Sequence, residues 1–101
     1  MRPRLLREAE RELRKAIRYY QRSRTGLGAE FYRCVNETMT ALADHPEQFP
    51  EYEGMAASRQ FRRARVKRFP YVIVFEVRAD EVLVVAVAHA SRKPGYWQRR
   101  K

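Results

Sequence analysis

Basic and small apolar residues alternate in the run Arg63, Ala64, Arg65, Val66, Lys67. Alternate side chains of a strand stand about 6–7 Å apart on one face. That spacing suits successive phosphates of a single nucleic-acid strand. It also suits an acidic or amphipathic protein segment added beside a sheet. An edge strand that uses charge to resist aggregation has the same pattern, so residue types alone leave these readings level. A second cluster lies near the C-terminus, where His89 is followed by Arg92, Pro94, Tyr96 and Trp97. A histidine at the end of an apolar strand can serve as acid or base near neutral pH. Arg92 could hold a phosphate, and Tyr96 or Trp97 could stack on a base. The structural alternative weighs more for this segment on its own: a strand-end histidine bonding the backbone, and a Tyr-Trp pair sealing the core edge.

Other chemistries find little support. Cys34, His45 and His89 do not have the spacing of metal ligands, and no C-x-x-C or H-x-x-x-H occurs. Phosphate-cradling glycine motifs are absent, so no nucleotide cofactor is indicated. Cys34 falls on the inner side of a helical pattern, where packing is its expected role. As the only cysteine it forms no intramolecular disulfide, and a reducing cytoplasm is the expected setting. No apolar run approaches the roughly 20 residues of a membrane helix. The basic start does not lead into an apolar stretch, so no secretory signal is expected.

Charge adds a direction. The 101 residues hold 22 Lys and Arg against 12 Asp and Glu, a net of +10. Such a balance favours an anionic partner. Arg59, Arg62, Arg63, Arg65, Lys67 and Arg68 follow one another without an acid, as do Arg92, Lys93, Arg99, Arg100 and Lys101. One end of the molecule should be far more positive than the rest.

The elements that position these residues follow from periodicity. Leu6, Ala9, Leu13, Ala16, Ile17 and Tyr20 recur at steps of three and four, predicting a helix over 5–23. Pro3 leaves room for a short strand before it. Gly26 suits a helix-ending left-handed position. A second helix is expected over 27–44, with Phe31, Val35, Met39 and Leu42 inward. His45-Pro46 stops it. Residues 45–57 read as a loop. Residues 63–67 form the basic strand, and Tyr71–Val77 and Val82–Ala90 are apolar runs typical of covered central strands. Residues 78–81 turn between them. The reading is a single α+β domain over 1–101, with an antiparallel helical hairpin on one face of a small antiparallel sheet. The other face carries Arg63, Arg65 and Lys67.

Taken in order, these pieces resemble the RelE/ParE toxins over nearly the whole chain. The resemblance rests on Ala9 to Leu13 with Tyr19-Tyr20, Gly26-Leu27-Gly28 with Phe31, and His45-Pro46 with Phe49-Pro50. It continues through Arg65 to Tyr71 and ends on Ala86 to His89 with Arg92, Pro94 and Tyr96-Trp97. It implies the toxin of a bacterial type II toxin–antitoxin pair, neutralised by a cognate antitoxin. Relatives differ in target: RelE-like members cut messenger RNA on the ribosome, and ParE-like members poison DNA gyrase. Matched to the ribonuclease pattern, Arg63 and Arg65 fall at basic positions and Tyr96 at a tyrosine position. Two cleavage arginines would fall at about Val72 and Ala90, where neither residue can stabilise developing charge. The resemblance therefore implies a ParE-like gyrase inhibitor without chemistry of its own, with a RelE-like endoribonuclease as the alternative. His89, Arg92 and Tyr96 are the catalytic candidates of that alternative. Arg63, Arg65, Lys67, Arg92 and Trp97 are the candidates for target binding. A non-toxic basic nucleic-acid-binding domain is the third reading.

Overall fold

The structure, a computed structural model, describes residues 3–52 and 59–101. Its elements are β1 (Pro3–Leu5), α1 (Arg7–Ser23), α2 (Leu27–Asp44), a 3-10 turn (Pro46–Gln48), β2 (Phe61–Arg65), β3 (Tyr71–Val77) and β4 (Val82–His89). The four strands form one sheet in the order β1-β4-β3-β2. The hairpin pairs β2–β3 and β3–β4 are antiparallel. The leading strand exists, and it pairs with β4 in parallel, so the sheet is mixed where the sequence reading expected antiparallel strands alone. A crossover through both helices returns the chain to this sheet, and a crossover of that length permits a parallel pair.

The helices form where the apolar stripes predict them. α1 buries Ala9, Leu13 and Ala16, and α2 buries Phe31, Cys34, Val35, Met39 and Leu42. Between them Gly26 takes φ +92°, a conformation that costs glycine no steric strain. The Gln21 side-chain oxygen accepts from the Gly26 and Gly28 amides at 3.1 and 3.3 Å, satisfying donors that a helix start leaves unpaired. At Gly28 the helices approach so closely that an added Cβ would stand 2.8 Å from the Ile17 carbonyl oxygen. Glu8 and Glu10 in the first turn of α1 complement the helix dipole.

The helical hairpin covers one face of the sheet, burying Ala64, Val66, Ile73, Phe75, Val84 and Val87 against α1 and α2. The opposite face is also covered over part of its area. Phe61, Val74, Leu83 and Val85 pack there with Trp97, and Tyr52 and Tyr96 flank them. The chain after β4 thus returns across the outer face, which explains why β3 and β4 carry apolar residues on both sides.

β2 is shorter than expected at its C-terminal end. It stops at Arg65, and Lys67 lies in the following turn, exposed and off the strand. The reason is Phe69, which turns inward and packs edge-on against Tyr20 and Phe31 with centroids 4.9 and 5.1 Å away. The turn needs a left-handed Arg68 at φ +69°. Lys67 therefore does not share the face of Arg63 and Arg65. The expected loop over 45–57 contains the 3-10 turn Pro46–Gln48, and residues 53–58 lie outside the described residues. Glu51 bridges to Arg62, and the Tyr52 amide donates to the Phe61 carbonyl at 2.9 Å, which pairs the outer edge of β2.

Candidate functional site

A cavity of about 420 Å³ opens on the outer face of the sheet, between β2 and the chain following β4. β2 contributes Arg63 and Arg65 because alternate residues of a strand share a face. The end of β4 and the turn after it contribute His89 and Arg92. Val72 and Ala88 form the apolar floor, both nearly buried, and no carboxylate among the described residues lines the cavity. Residues 26 positions apart in sequence, Arg63 and His89, meet here because β2 and β4 flank β3.

Within the cavity, the His89 Nδ1 accepts a hydrogen bond from the Ser91 backbone N–H at 3.1 Å. In the neutral ring this places the proton on Nε2, an assignment that follows from the hydrogen-bond network. The ring also meets Tyr71 edge-on at 5.3 Å. Arg63 stacks over Tyr52 at 5.2 Å and donates to the Glu51 carbonyl at 3.2 Å. The Arg65 side chain has neither a hydrogen-bond nor an ion-pair partner among the described residues.

Two of the candidates are committed to other contacts, Trp97 at the edge of this cavity and Tyr96 outside it. Trp97 is 1% exposed and packs between Tyr52 and Tyr96 at 5.2 and 5.0 Å. Buried this way, its ring is not open for a base to stack on; it seals the outer core. Tyr96 turns away from the arginines of β2. Its hydroxyl donates to the Glu12 carboxylate at 2.9 Å. Burial, reinforced by that carboxylate, pushes its phenol up to about 12. Arg92 lies over the Tyr96 ring at 3.5 Å, with the more distant Glu12 carboxylate 3.9 Å away.

Glu12 is the residue that sequence reasoning missed. It sits among charged neighbours on α1, and periodicity assigns it to solvent. In the structure it is mostly buried and gathers four groups: the Tyr96 hydroxyl, the Val87 amide at 3.0 Å, and both terminal nitrogens of Arg100 at 2.9 and 3.1 Å. Arg100 also donates to the Val85 carbonyl at 2.9 Å. β1 pairs with β4 only as far as Val84, so Glu12 and Arg100 satisfy the backbone groups that the short strand leaves open. Arg59 secures the other side of the tail. It pairs with Glu76 at 3.0 Å and donates to the Gln98 carbonyl at 3.0 Å and to the Arg100 carbonyl. Two cations of the acid-free run are thus structural, since Arg62 likewise donates to the Phe49 carbonyl at 2.7 Å. No local motif could have signalled these contacts, because their partners lie far away in sequence. Among the described residues no three His, Cys, Asp or Glu side chains converge as metal ligands would, and no helix is long and apolar enough to cross a membrane.

The fold and cavity define a small basic α+β domain in which a helical hairpin takes one sheet face and a cationic hollow the other. A family model described as the ParE toxin of type II toxin–antitoxin systems, parDE, matches residues 4–94, and the chain belongs to that family. A solved structure described as the chromosomal ParDE toxin–antitoxin system from P. aeruginosa superposes with a TM-score of 0.74. That match covers 88% of this chain and 95% of the other at 16% identity, a likeness of fold. No curated protein matches this chain.

Proposed function

We propose that this protein is a toxin that inhibits DNA gyrase by binding it, and that a cognate antitoxin neutralises it by direct contact. The observation that carries the reading is the lining of the outer cavity at Val72 and Ala90. These are the positions at which the RelE-like pattern would set cleavage arginines. A valine and an alanine leave a developing phosphorane charge without support, and such support is usually the largest catalytic contribution. Tyr96 does not compensate, since its hydroxyl is committed to Glu12 and its proton is held tightly. The remaining cations suit binding of an anionic surface rather than cleavage. Family membership supports the pairing with an antitoxin.

The test is a supercoiling assay with purified gyrase, followed by addition of the antitoxin encoded beside this gene. Inhibition relieved by the antitoxin is expected. Intact supercoiling at saturating toxin overturns the proposal. So does rapid messenger-RNA cleavage on induction that disappears in His89→Ala or Arg92→Ala.

A further inference from the structure

We propose, independently of gyrase docking, that a notch at the open edge of β4 captures the C-terminal end of another polypeptide chain, one that ends in an apolar residue with a free carboxylate. The backbone of β4 gives the first reason. The Ala90 amide donates to the Pro70 carbonyl at 2.8 Å, so Ala88 also turns its amide and carbonyl towards β3. Val87 and His89 then turn theirs the other way, and on that side the Val87 amide meets Glu12 at 3.0 Å. β1 reaches no further than Val84 there, and the Val85 carbonyl takes Arg100. The Val87 carbonyl and the His89 amide are left without a partner among the described residues. One residue running parallel to β4 supplies both, because in a parallel pair its N–H and C=O bond to the residues on either side of a single position. If that residue is the last of its chain, its N–H meets the Val87 carbonyl and its carboxylate meets the His89 amide.

The surroundings select the side chain and the end group. The notch holds about 470 Å³ between α1 and the tail, within the range of small-ligand pockets. Tyr19, Tyr20 and Tyr71 line it together with Ala16 and Val87. Tyr19 is 63% exposed, so this aromatic wall is open, and it favours an aromatic or branched apolar side chain. The one carboxylate among the lining residues is Glu12. It already bonds Val87, Tyr96 and Arg100, with Arg92 at 3.9 Å. Lys15, three residues further along α1, has no hydrogen-bond or ion-pair partner among the described residues. The charge left for a ligand is positive. It lies where a chain parallel to β4 would end, because α1 advances from Glu12 beside Val87 to Tyr20 beside Tyr71, the cross-strand partner of His89. An open strand edge, an apolar pocket and a cation for the carboxylate together suit a chain end. The end of this chain is Arg99-Arg100-Lys101, which Lys15 would repel, so a second copy does not fit.

The experiment is fluorescence anisotropy of the full chain with amino-terminally labelled hexapeptides Gly-Ser-Gly-Thr-Val-X. X is Phe, Leu or Lys, each made as the free acid and as the C-terminal amide. Saturable binding of the Phe free acid is expected, with its amide about threefold weaker and the Lys peptide about tenfold weaker. N-methylation of the last peptide bond removes the donor to Val87 and should weaken binding about fivefold. Lys15→Ala should erase the preference for the free acid. Arg33→Ala removes the same charge from exposed α2 and should leave that preference intact. Thermal melts of both variants verify folding, and the His89 amide should gain protection from hydrogen exchange at saturating peptide. No saturable binding at about 1 mM peptide, equal affinity for acid and amide, indifference to N-methylation, or an acid preference undiminished in Lys15→Ala overturns the proposal. Gyrase is absent from this assay, so its failure leaves the gyrase reading standing, and failure in the supercoiling assay leaves this one standing.

Discussion

Glu12→Ala should be among the most destabilising single changes in the protein, although the sequence places Glu12 on a solvated helix face. Glu12 and Arg100 are each 17% exposed at the side chain and meet through two bonds. Removing the carboxylate leaves Arg100 with the Val85 carbonyl, and leaves the Val87 amide and Tyr96 hydroxyl without their acceptor. Breaking a buried pair from one side costs about 3–5 kcal/mol. Residual exposure lets water reach the bared groups, which sets the expectation at the lower end, about 3 kcal/mol. For a domain of this length each kcal/mol moves the melting midpoint by about 4–8 °C, so a fall of at least about 12 °C is expected. Glu12→Gln keeps one acceptor and loses the charge, and should cost about 1–2 kcal/mol. In Glu12→Ala with Arg100→Met, no guanidinium is stranded, and the double variant should be more stable than the sum of the singles predicts. Urea and thermal unfolding followed by circular dichroism measure the wild type, the three single variants and the double variant. A loss below about 1 kcal/mol in Glu12→Ala would refute the assignment of Glu12 as the clasp of the C-terminal tail.

Three further outcomes follow from the same packing. Trp97 is the sole tryptophan and is 1% exposed, so its emission should be blue-shifted and shielded from acrylamide, and Trp97→Ala should cost about 3–5 kcal/mol in urea unfolding. Burial and Glu12 raise Tyr96 from 10.0 to about 12; the unfolded chain therefore gives up this proton first, and stability present below pH of about 10 should be lost as pH rises towards about 12. Burial raises Tyr20, Tyr52 and Tyr71 in the same direction, and melts across that window with a parallel phenolate titration read the effect, which Tyr96→Phe should diminish. Gly28→Ala sets a methyl 2.8 Å from the Ile17 carbonyl oxygen and should destabilise the helical hairpin by about 1–3 kcal/mol, measured as a lower melting midpoint.

Both helices were legible because their apolar stripes are long and bounded by Gly26 and Pro46, and both match the expected ranges to within two residues. β3 and β4 were legible as covered strands, but what covers their outer face was not, because Trp97 lies 12 residues beyond Val85 and nothing local ties the two. β1 was only allowed for, since three residues carry too little pattern to fix a parallel pairing. Of the binding candidates, Arg63, Arg65 and Arg92 line one cavity with His89. Lys67 was misplaced because alternation continues through Val66 while the backbone already turns to dock Phe69. Trp97 kept its aromatic type but serves packing. Glu12 could not be found from periodicity, because its three tail and strand partners lie 75 to 88 positions away.

The cavity has one wall from a strand and one from the tail, and this division decides how variants should be interpreted. β2 holds Arg63 and Arg65 through its ladder to β3, with Glu51 and Tyr52 pairing its outer edge. The opposite wall, from His89 to Trp97, has no ladder beyond the Ala90 amide, which donates to the Pro70 carbonyl at 2.8 Å. Its position depends on Trp97 in the outer core, on Glu12 holding Tyr96 and Arg100, and on Arg59 holding the tail carbonyls. Arg92 rides on this wall through the Tyr96 ring. A change at Glu12 or Trp97 therefore moves Arg92 away from Arg63 and Arg65 without removing any cation. Loss of target binding in such a variant marks a positioning residue. Loss in Arg65→Ala with an unchanged melting midpoint marks a contact. Pairing each binding measurement with a melt separates the two, because the Arg65 side chain makes no hydrogen bond or ion pair among the described residues and its removal gives the fold no reason to weaken.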